Sequence, residues 1–317
     1  MFRKQSLWNQ DKKILFMMFA IPIVIAVIII SGTVIKNQIR DYQEQKAIET
    51  KMEEQKSLEE ERKKAEEERA QAIENALKNS KYEMELRNLY EEYPQIDEML
   101  LQLDEYPDEV IEYFIKMPET VEWVIHYPEY SAKSEEELNA LALEPLDITD
   151  YEMRGNIPAY YQWDVKWGYT FYGEGTFAVT GCGPTCLSMV AVGLTGDTTI
   201  TPKKVADISV AAGSYVEGVG TSWDLMTKGA AALGLTSTQN DTWTASGLRS
   251  KLAEGNPMIC SMGAGDFTDK GHFIVLVGVT ADGKILVNDP NSKSNTEKEW
   301  EAQVLLDQMK GMWVISK

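Results

Sequence analysis

Apolar and polar residues are arranged in four different ways along these 317 residues, and each arrangement predicts a different element. Residues 14–35, I-L-F-M-M-F-A-I-P-I-V-I-A-V-I-I-I-S-G-T-V-I, form one uncharged apolar run. A helix of that length, rising about 1.5 Å per residue, spans the roughly 30 Å hydrocarbon core of a bilayer, and Pro22 is tolerated there. Residues 37–79 are the reverse: they lack Gly and Pro, consist mostly of helix formers, and contain S-L-E-E-E-R-K-K-A-E-E-E-R-A-Q-A-I. Glu59 with Lys63 and Glu60 with Lys64 are favourable i,i+4 pairs. This predicts a charged helical stalk about 60 Å long. Ile48, Met52, Leu58 and Ile73 are too sparse for a regular heptad seam, so the stalk reads as a solvated single helix ahead of a coiled coil.

A third pattern follows as a degenerate repeat, Y-P-Q-I-D-E-M-L, Y-P-D-E-V-I-E-Y-F-I, M-P-E-T-V-E-W-V-I, then Y-P-E-Y. Proline at a first helical turn, followed by acidic residues and apolar ones at i+3 and i+4, predicts short helices stacked on one another. From residue 154 the pattern changes again. Helices are predicted near 183–193, 202–212, 222–233, 245–253 and 297–309, and strands near 157–163, 257–262, 272–279, 284–288 and 312–316. Helices come first and strands later, which suits an α+β fold with a cleft between a helical half and a sheet half. The predicted organisation is residues 1–13 as a cytoplasmic tail, 14–35 as a transmembrane helix, 36–80 as the stalk, 81–153 as an acidic helical repeat region and 154–317 as the functional domain.

Charge sharpens this division. The net charge of −19 is concentrated in residues 91–153, where 19 acidic residues face only Lys116 and Lys133. Such acidity argues against a nucleic acid partner. It leaves the array either packing on the rest of the protein or serving as a candidate protein-binding module. Arg3, Lys4, Lys12 and Lys13 precede the apolar run, which keeps the N-terminus cytoplasmic and the remainder outside. A cleaved signal peptide is the competing reading, but no A-x-A site follows the run and its apolar core is too long. Three cysteines make no disulfide framework and none has zinc spacing; no phosphate-binding glycine loop is evident, so no metal and no cofactor is expected.

The candidate chemistry centres on residues 180–189, T-G-C-G-P-T-C-L-S-M. Gly181 and Gly183 permit a sharp turn, Pro184 suits a first helical turn, and Cys182 is therefore placed at a helix N-terminus, where the dipole favours a thiolate. Cys186, one turn on, reads as a core residue, and Cys260 likewise. A nucleophile needs a base, and of two histidines His126 belongs to the acidic array whereas His272 opens the buried strand H-F-I-V-L-V-G-V. The turn signal Ala281-Asp282-Gly283 then predicts a hairpin. With a four-residue loop, residues 280–283, Val279 pairs with Lys284 and Asp289 falls opposite Ile274, diagonally beside His272 and within reach of Nδ1. Asp289 also reads as the turn former of N-D-P-N-S.

These residues resemble the C39-like cysteine peptidases, the papain-like branch called C39-like family 2. The pieces that carry the resemblance are I-P-A-Y-Y-Q-W-D-V-K-W-G near residue 160, G-C-G-P-T, G-T-S-W at 220–223, G-H-F-I-V-L at 271 and V-N-D-P-N-S at 287. The resemblance implies a catalytic set carried by Cys182, His272 and Asp289, with Gln162 in the oxyanion hole. Gln162 stands 20 residues before the cysteine and must return to the site by a loop; otherwise it only caps a strand.

The reading that follows is a surface-displayed, membrane-anchored cysteine peptidase acting on a peptide or protein substrate, with the catalytic domain extracellular and a context that fits a Gram-positive bacterium. Two alternatives stay open: a peptidoglycan hydrolase on the same fold, and a non-catalytic surface binding protein.

Overall fold

The computed structural model describes residues 2–240 and 243–317, with side chains from residue 12 onward. Arg3, Lys4 and Asp11, whose charges enter the expected cytoplasmic tail, lie outside the described side chains. The chain forms two compact units, one ending at Asn75 and one running from Ala76 to Lys317.

The first unit consists of helix α1 (Phe2–Asn79), less its last turn. Pro22 lies within it. Residues 14–35 face solvent all round, and among the described residues α1 is the one helix long and apolar enough to cross a membrane. The hydroxyl of Thr33 donates back to Ile29 O at 2.7 Å, so its polar atom is satisfied inside the run. In the charged part, Lys56–Glu60, Arg62–Glu66 and Lys64–Glu68 pair at i,i+4. Glu60 and Lys64 thus pair away from each other instead of together. Neighbours one turn up and one turn down are equally near, and exposed pairs are worth only a few tenths of a kcal/mol, about 0.3–0.5, so little energy decides between them.

The second unit begins with the acidic array: α2 (Glu83–Glu92), α3 (Asp97–Leu101), α4 (Asp108–Lys116), α5 (Val121–Ile125), α6 (Tyr127–Ser131) and α7 (Glu135–Leu143). Pro94 and Pro118 each open a 3-10 turn, Pro107 caps α4 and Pro128 sits in the first turn of α6. Acidic residues occupy the first turns of all six helices, where they offset the positive end of the dipole. Their apolar residues, among them Leu86, Ile96, Leu100, Ile111, Phe114 and Val124, are buried. Tyr169, from the segment after residue 154, donates its hydroxyl to Trp123 O and stacks on Trp123 and Tyr130.

Next come α8 (Phe177–Thr180), α9 (Cys182–Thr195) and α10 (Pro202–Ala211). Every residue of α9 from Gly183 to Val192 is buried, so this helix is the centre of the core and has no solvent face. Gly196, at φ 75, ends it in the left-handed conformation. The segment expected to be helical at 222–233 is a π turn (Leu225–Gly229) followed by α11 (Ala230–Ala232).

The sheet has six strands: β1 (Thr236–Gln239), β2 (Met258–Met262), β3 (His272–Val279), β4 (Ile285–Asn288), β5 (Glu299–Trp300) and β6 (Met309–Ser316). Their order is β5-β4-β3-β2-β6-β1, antiparallel throughout. Ile259, Phe273, Val275, Trp313 and Ile315 pack on the α9 side. Met258, Cys260, Ile274, Leu276, Val287 and Met312 face the other side, under α12 (Ala245–Ala253) and α14 (Ala302–Gln308). Both faces are covered, which accounts for the unbroken apolar run of β3. The fold is α+β as expected, and besides the π turn and the unexpected strand β1 it differs locally at two more places. The strand expected at 157–163 is only the two-residue ladder Ile157–Pro158, and beyond it the chain turns. The helix expected at 297–309 is divided into α13 (Lys293–Glu297) and α14, because Glu299 and Trp300 pair with β4 as β5.

Candidate active site

The turn between α8 and α9 is built on close approach. A Cβ on Gly181 would stand 2.3 Å from the Phe177 ring and 2.6 Å from Phe177 O, and one on Gly183 would stand 2.5 Å from Thr221 Oγ1. Only glycine fits at either place. Cys182 is thereby held as the first residue of α9, half-buried, with its sulfur at the helix N-terminus. Burial pushes its thiol up, but a hydrogen bond from His272, the charge of that imidazole, and the N–H groups of Phe273 and Gly183 outweigh it and hold the thiol below its ordinary range. Cys186 and Cys260 are free thiols, fully buried, and burial pushes both well up.

His272 opens β3 and is 8% exposed. Its Nε2 lies 2.7 Å from Asp289 Oδ1, and Asp289 is 1% exposed. Burial works against the imidazolium, yet the Asp289 charge, the Asp289 hydrogen bond and the Cys182 thiolate together raise the ring to about 10. Nε2 rather than Nδ1 meets the carboxylate, so Nδ1 is the nitrogen left for the sulfur. The hairpin differs from expectation in a compensating way. Val279 pairs with Ile285, not Lys284, which makes the loop one residue longer; a bulge at Val277 then shifts the ladder so that Asn288 meets Val275. Asp289 thus follows in line with Ile274 after all.

Asp289 is also a turn former. Its Oδ1 accepts Asn291 N–H at 2.9 Å, its Oδ2 accepts Asn295 Nδ2 at 2.9 Å, and its own N–H donates to Thr296 Oγ1 at 2.9 Å. The two readings of this residue are compatible, because the hydrogen bonds that shape the N-D-P-N-S turn also aim the carboxylate at the imidazole.

Gln162 is carried back to the site by the chain between it and α8. Its N–H donates to Pro290 O and its Nε2 to Ala178 O, each at 2.7 Å, and it is 2% exposed. One N–H of the side-chain amide is therefore committed to Ala178, and a second remains. Its Oε1 is buried with no protein partner. Cys182, His272 and Gln162 line one cleft of 710 Å³, with Trp223, Ser261 and Phe267 along its walls. Trp223, of the G-T-S-W piece, is fixed by its Nε1 donating to Ser261 Oγ at 3.1 Å. The four residues singled out in the sequence are thus brought together. His126 is not among them: its Nδ1 contacts Glu122 O, one turn back in the array. Among the described residues no cluster of His, Cys, Asp or Glu could hold a metal ion.

Sequence reasoning missed three contributors. Asn295 and the Phe273 N–H are set by sheet and turn geometry that residue type does not reveal. Tyr113 lines the same cleft from α4, and nothing in the array's pattern marks it apart from its neighbouring aromatics.

A family model described as the Peptidase_C39 like family matches residues 154–317. Among solved structures, the peptidase domain of Streptococcus ComA, a bifunctional ABC transporter involved in quorum sensing, is similar at 16% identity and a TM-score of 0.36, covering 44% of this chain and 92% of that one. A C39-like peptidase from Bacillus anthracis is similar at 14% identity and a TM-score of 0.30, covering 44% and 89%. No curated protein matches.

Proposed function

This chain belongs to the Peptidase_C39 like family, and we propose that it is a cysteine peptidase whose nucleophile is Cys182, whose acid–base group is His272 and whose imidazole is held by Asp289. The observation that carries the proposal is the imidazole itself, held through Nε2 by a buried carboxylate in the cleft it shares with Cys182, whose thiol it keeps below its ordinary range. A thiolate beside an imidazolium is ready to react at neutral pH. Cys182 Sγ forms a bond to the carbonyl carbon of a peptide, and the carbonyl electron pair moves onto oxygen. Gln162 Nε2 and the Cys182 N–H take that oxyanion. His272 delivers its proton to the amide nitrogen, the C–N bond breaks and the amine leaves a thioester. Water then attacks, giving its proton to His272, and the acid departs as the thiolate is restored.

The apolar run of α1, long enough to span a bilayer and preceded by basic residues, supports a single-pass anchor with the peptidase displayed outside the cell. The deciding experiment is labelling with a thiol-reactive peptide electrophile. Cys182→Ala should abolish labelling, while Cys186→Ala and Cys260→Ala keep it. Loss of labelling in a folded Cys186→Ala protein would remove Cys182 from its role.

A further inference from the structure

The acidic array takes part in the cleft in a way its charge does not account for. The Tyr113 hydroxyl stands 2.8 Å from Ala178 O and 2.9 Å from Asn291 Oδ1. A phenol has one proton, and a carbonyl can only accept it. With that proton on Ala178 O, the Asn291 amide must turn its NH₂ toward Tyr113 Oη, which accepts. Ala178 O also receives Gln162 Nε2 at 2.7 Å, so both its lone pairs are used and the phenol and the amide are held side by side. Asn291 in turn donates its N–H to Asp289 Oδ1. A second array residue fastens the same loop: Glu119 accepts the N–H groups of Lys293 and Ser294 and the hydroxyl of Ser292.

We infer that Tyr113 is a positioning residue of the peptidase site, which through Ala178 O and Asn291 holds the Gln162 amide on the oxyanion side of Cys182. The acidic array then supports the catalytic site as well as packing on the rest of the protein. This inference rests on the reading of Cys182 as nucleophile and Gln162 as oxyanion donor. Gln162 needs such support, since its Oε1 has no partner to fix it from the other side. Burial raises the Tyr113 phenol well above its usual range, so it stays protonated and keeps donating wherever the enzyme works. Tyr113→Phe removes only the oxygen, and the ring remains edge-on to Trp123 at 5.8 Å.

Two probes applied to the full 317-residue chain in detergent micelles separate the roles. Iodoacetamide needs only the thiolate: an S–C bond forms, iodide leaves, and no oxyanion arises. With p-nitrophenyl acetate the thiolate adds to the carbonyl, an oxyanion forms, and p-nitrophenolate departs to leave an acetyl thioester that water hydrolyses. Tyr113→Phe should slow acylation about 10-fold while alkylation of Cys182, located by mass spectrometry, stays within about twofold with an unmoved pH profile. In a Gln162→Ala background it should slow acylation no further. Unchanged acylation, equal loss with both probes, or a full additional loss in the Gln162→Ala background each overturns the positioning role. Wild-type protein inert to both probes at Cys182 would instead sink the peptidase reading, and this inference with it.

Discussion

Replacing Asp289 by Asn takes a negative charge from beside His272 and leaves the shape of the side chain in place. The retained Oδ1 can still accept His272 Nε2 and Asn291 N–H, and the new NH₂ faces Asn295, whose amide can turn to present its oxygen. Orientation therefore survives while the support for the imidazolium falls. The active pair, thiolate with imidazolium, exists above the cysteine's pKa and below the histidine's, which gives a bell-shaped profile. Asp289 raises the histidine, so its loss must move the alkaline limb to lower pH. Two unit charges about 4 Å apart at an effective dielectric near 20 interact by about 4 kcal/mol, and about 1.4 kcal/mol corresponds to one pH unit. That sets roughly three units as the ceiling; the Cys182 thiolate remains as a second anion beside the ring, and a fall of roughly two units is expected. Asp289→Ala should do worse, because the buried His272 donor loses its acceptor at about 1–3 kcal/mol and two partly buried donors, Asn291 N–H and Asn295 Nδ2, lose theirs as well. The assay is kcat/KM for a fluorogenic peptide amide across roughly pH 5 to 10.5. Wild-type rates in both variants with an unmoved alkaline limb would reduce Asp289 to a turn residue and send the search for the third group elsewhere.

Gly181→Ala should lower stability by about 2 kcal/mol or more, read as a reduced urea midpoint, because its Cβ would overlap a backbone oxygen of Phe177 that cannot rotate aside; an unchanged midpoint would mean that the turn is looser than its contacts indicate. A reporter fused after Lys317 should be open to protease on intact cells, and the mature protein should keep residues 1–36. An N-terminal sequence beginning near Ser31 would show cleavage in place of anchoring.

The parts of this site that were legible in the sequence are those fixed by local chemistry. A helix N-terminus flanked by two glycines locates Cys182, and an apolar run opened by a histidine locates a buried strand that begins with a base. Long-range geometry is less accessible. Turn signals alone give the hairpin one loop residue too few, and Asp289 still lands in line with Ile274 because the bulge at Val277 takes up the difference; turn residues signal that a chain reverses but not where a ladder slips. The strand Thr236–Gln239 carries mostly polar, exposed positions and so has no alternation to reveal it. The thiol shows the same limit at atomic scale. The helix N-terminus seen in the sequence contributes through the Gly183 N–H, but the first contribution after burial is the His272 hydrogen bond, and the Phe273 N–H also acts from the strand. Periodicity likewise says that α4 has an apolar face without saying what that face meets. Tyr113 lies on α4 beside buried Phe114 and Val110, and a hydroxyl 65 residues from the carbonyl it bonds has no local signature. Acidic residues in the first helical turns are sufficiently explained by the helix dipoles. The array's contacts around the cleft, by contrast, are individual ones: the Tyr113 phenol on α4, the Lys116–Asp269 ion pair at its end, and Glu119 in the turn that follows.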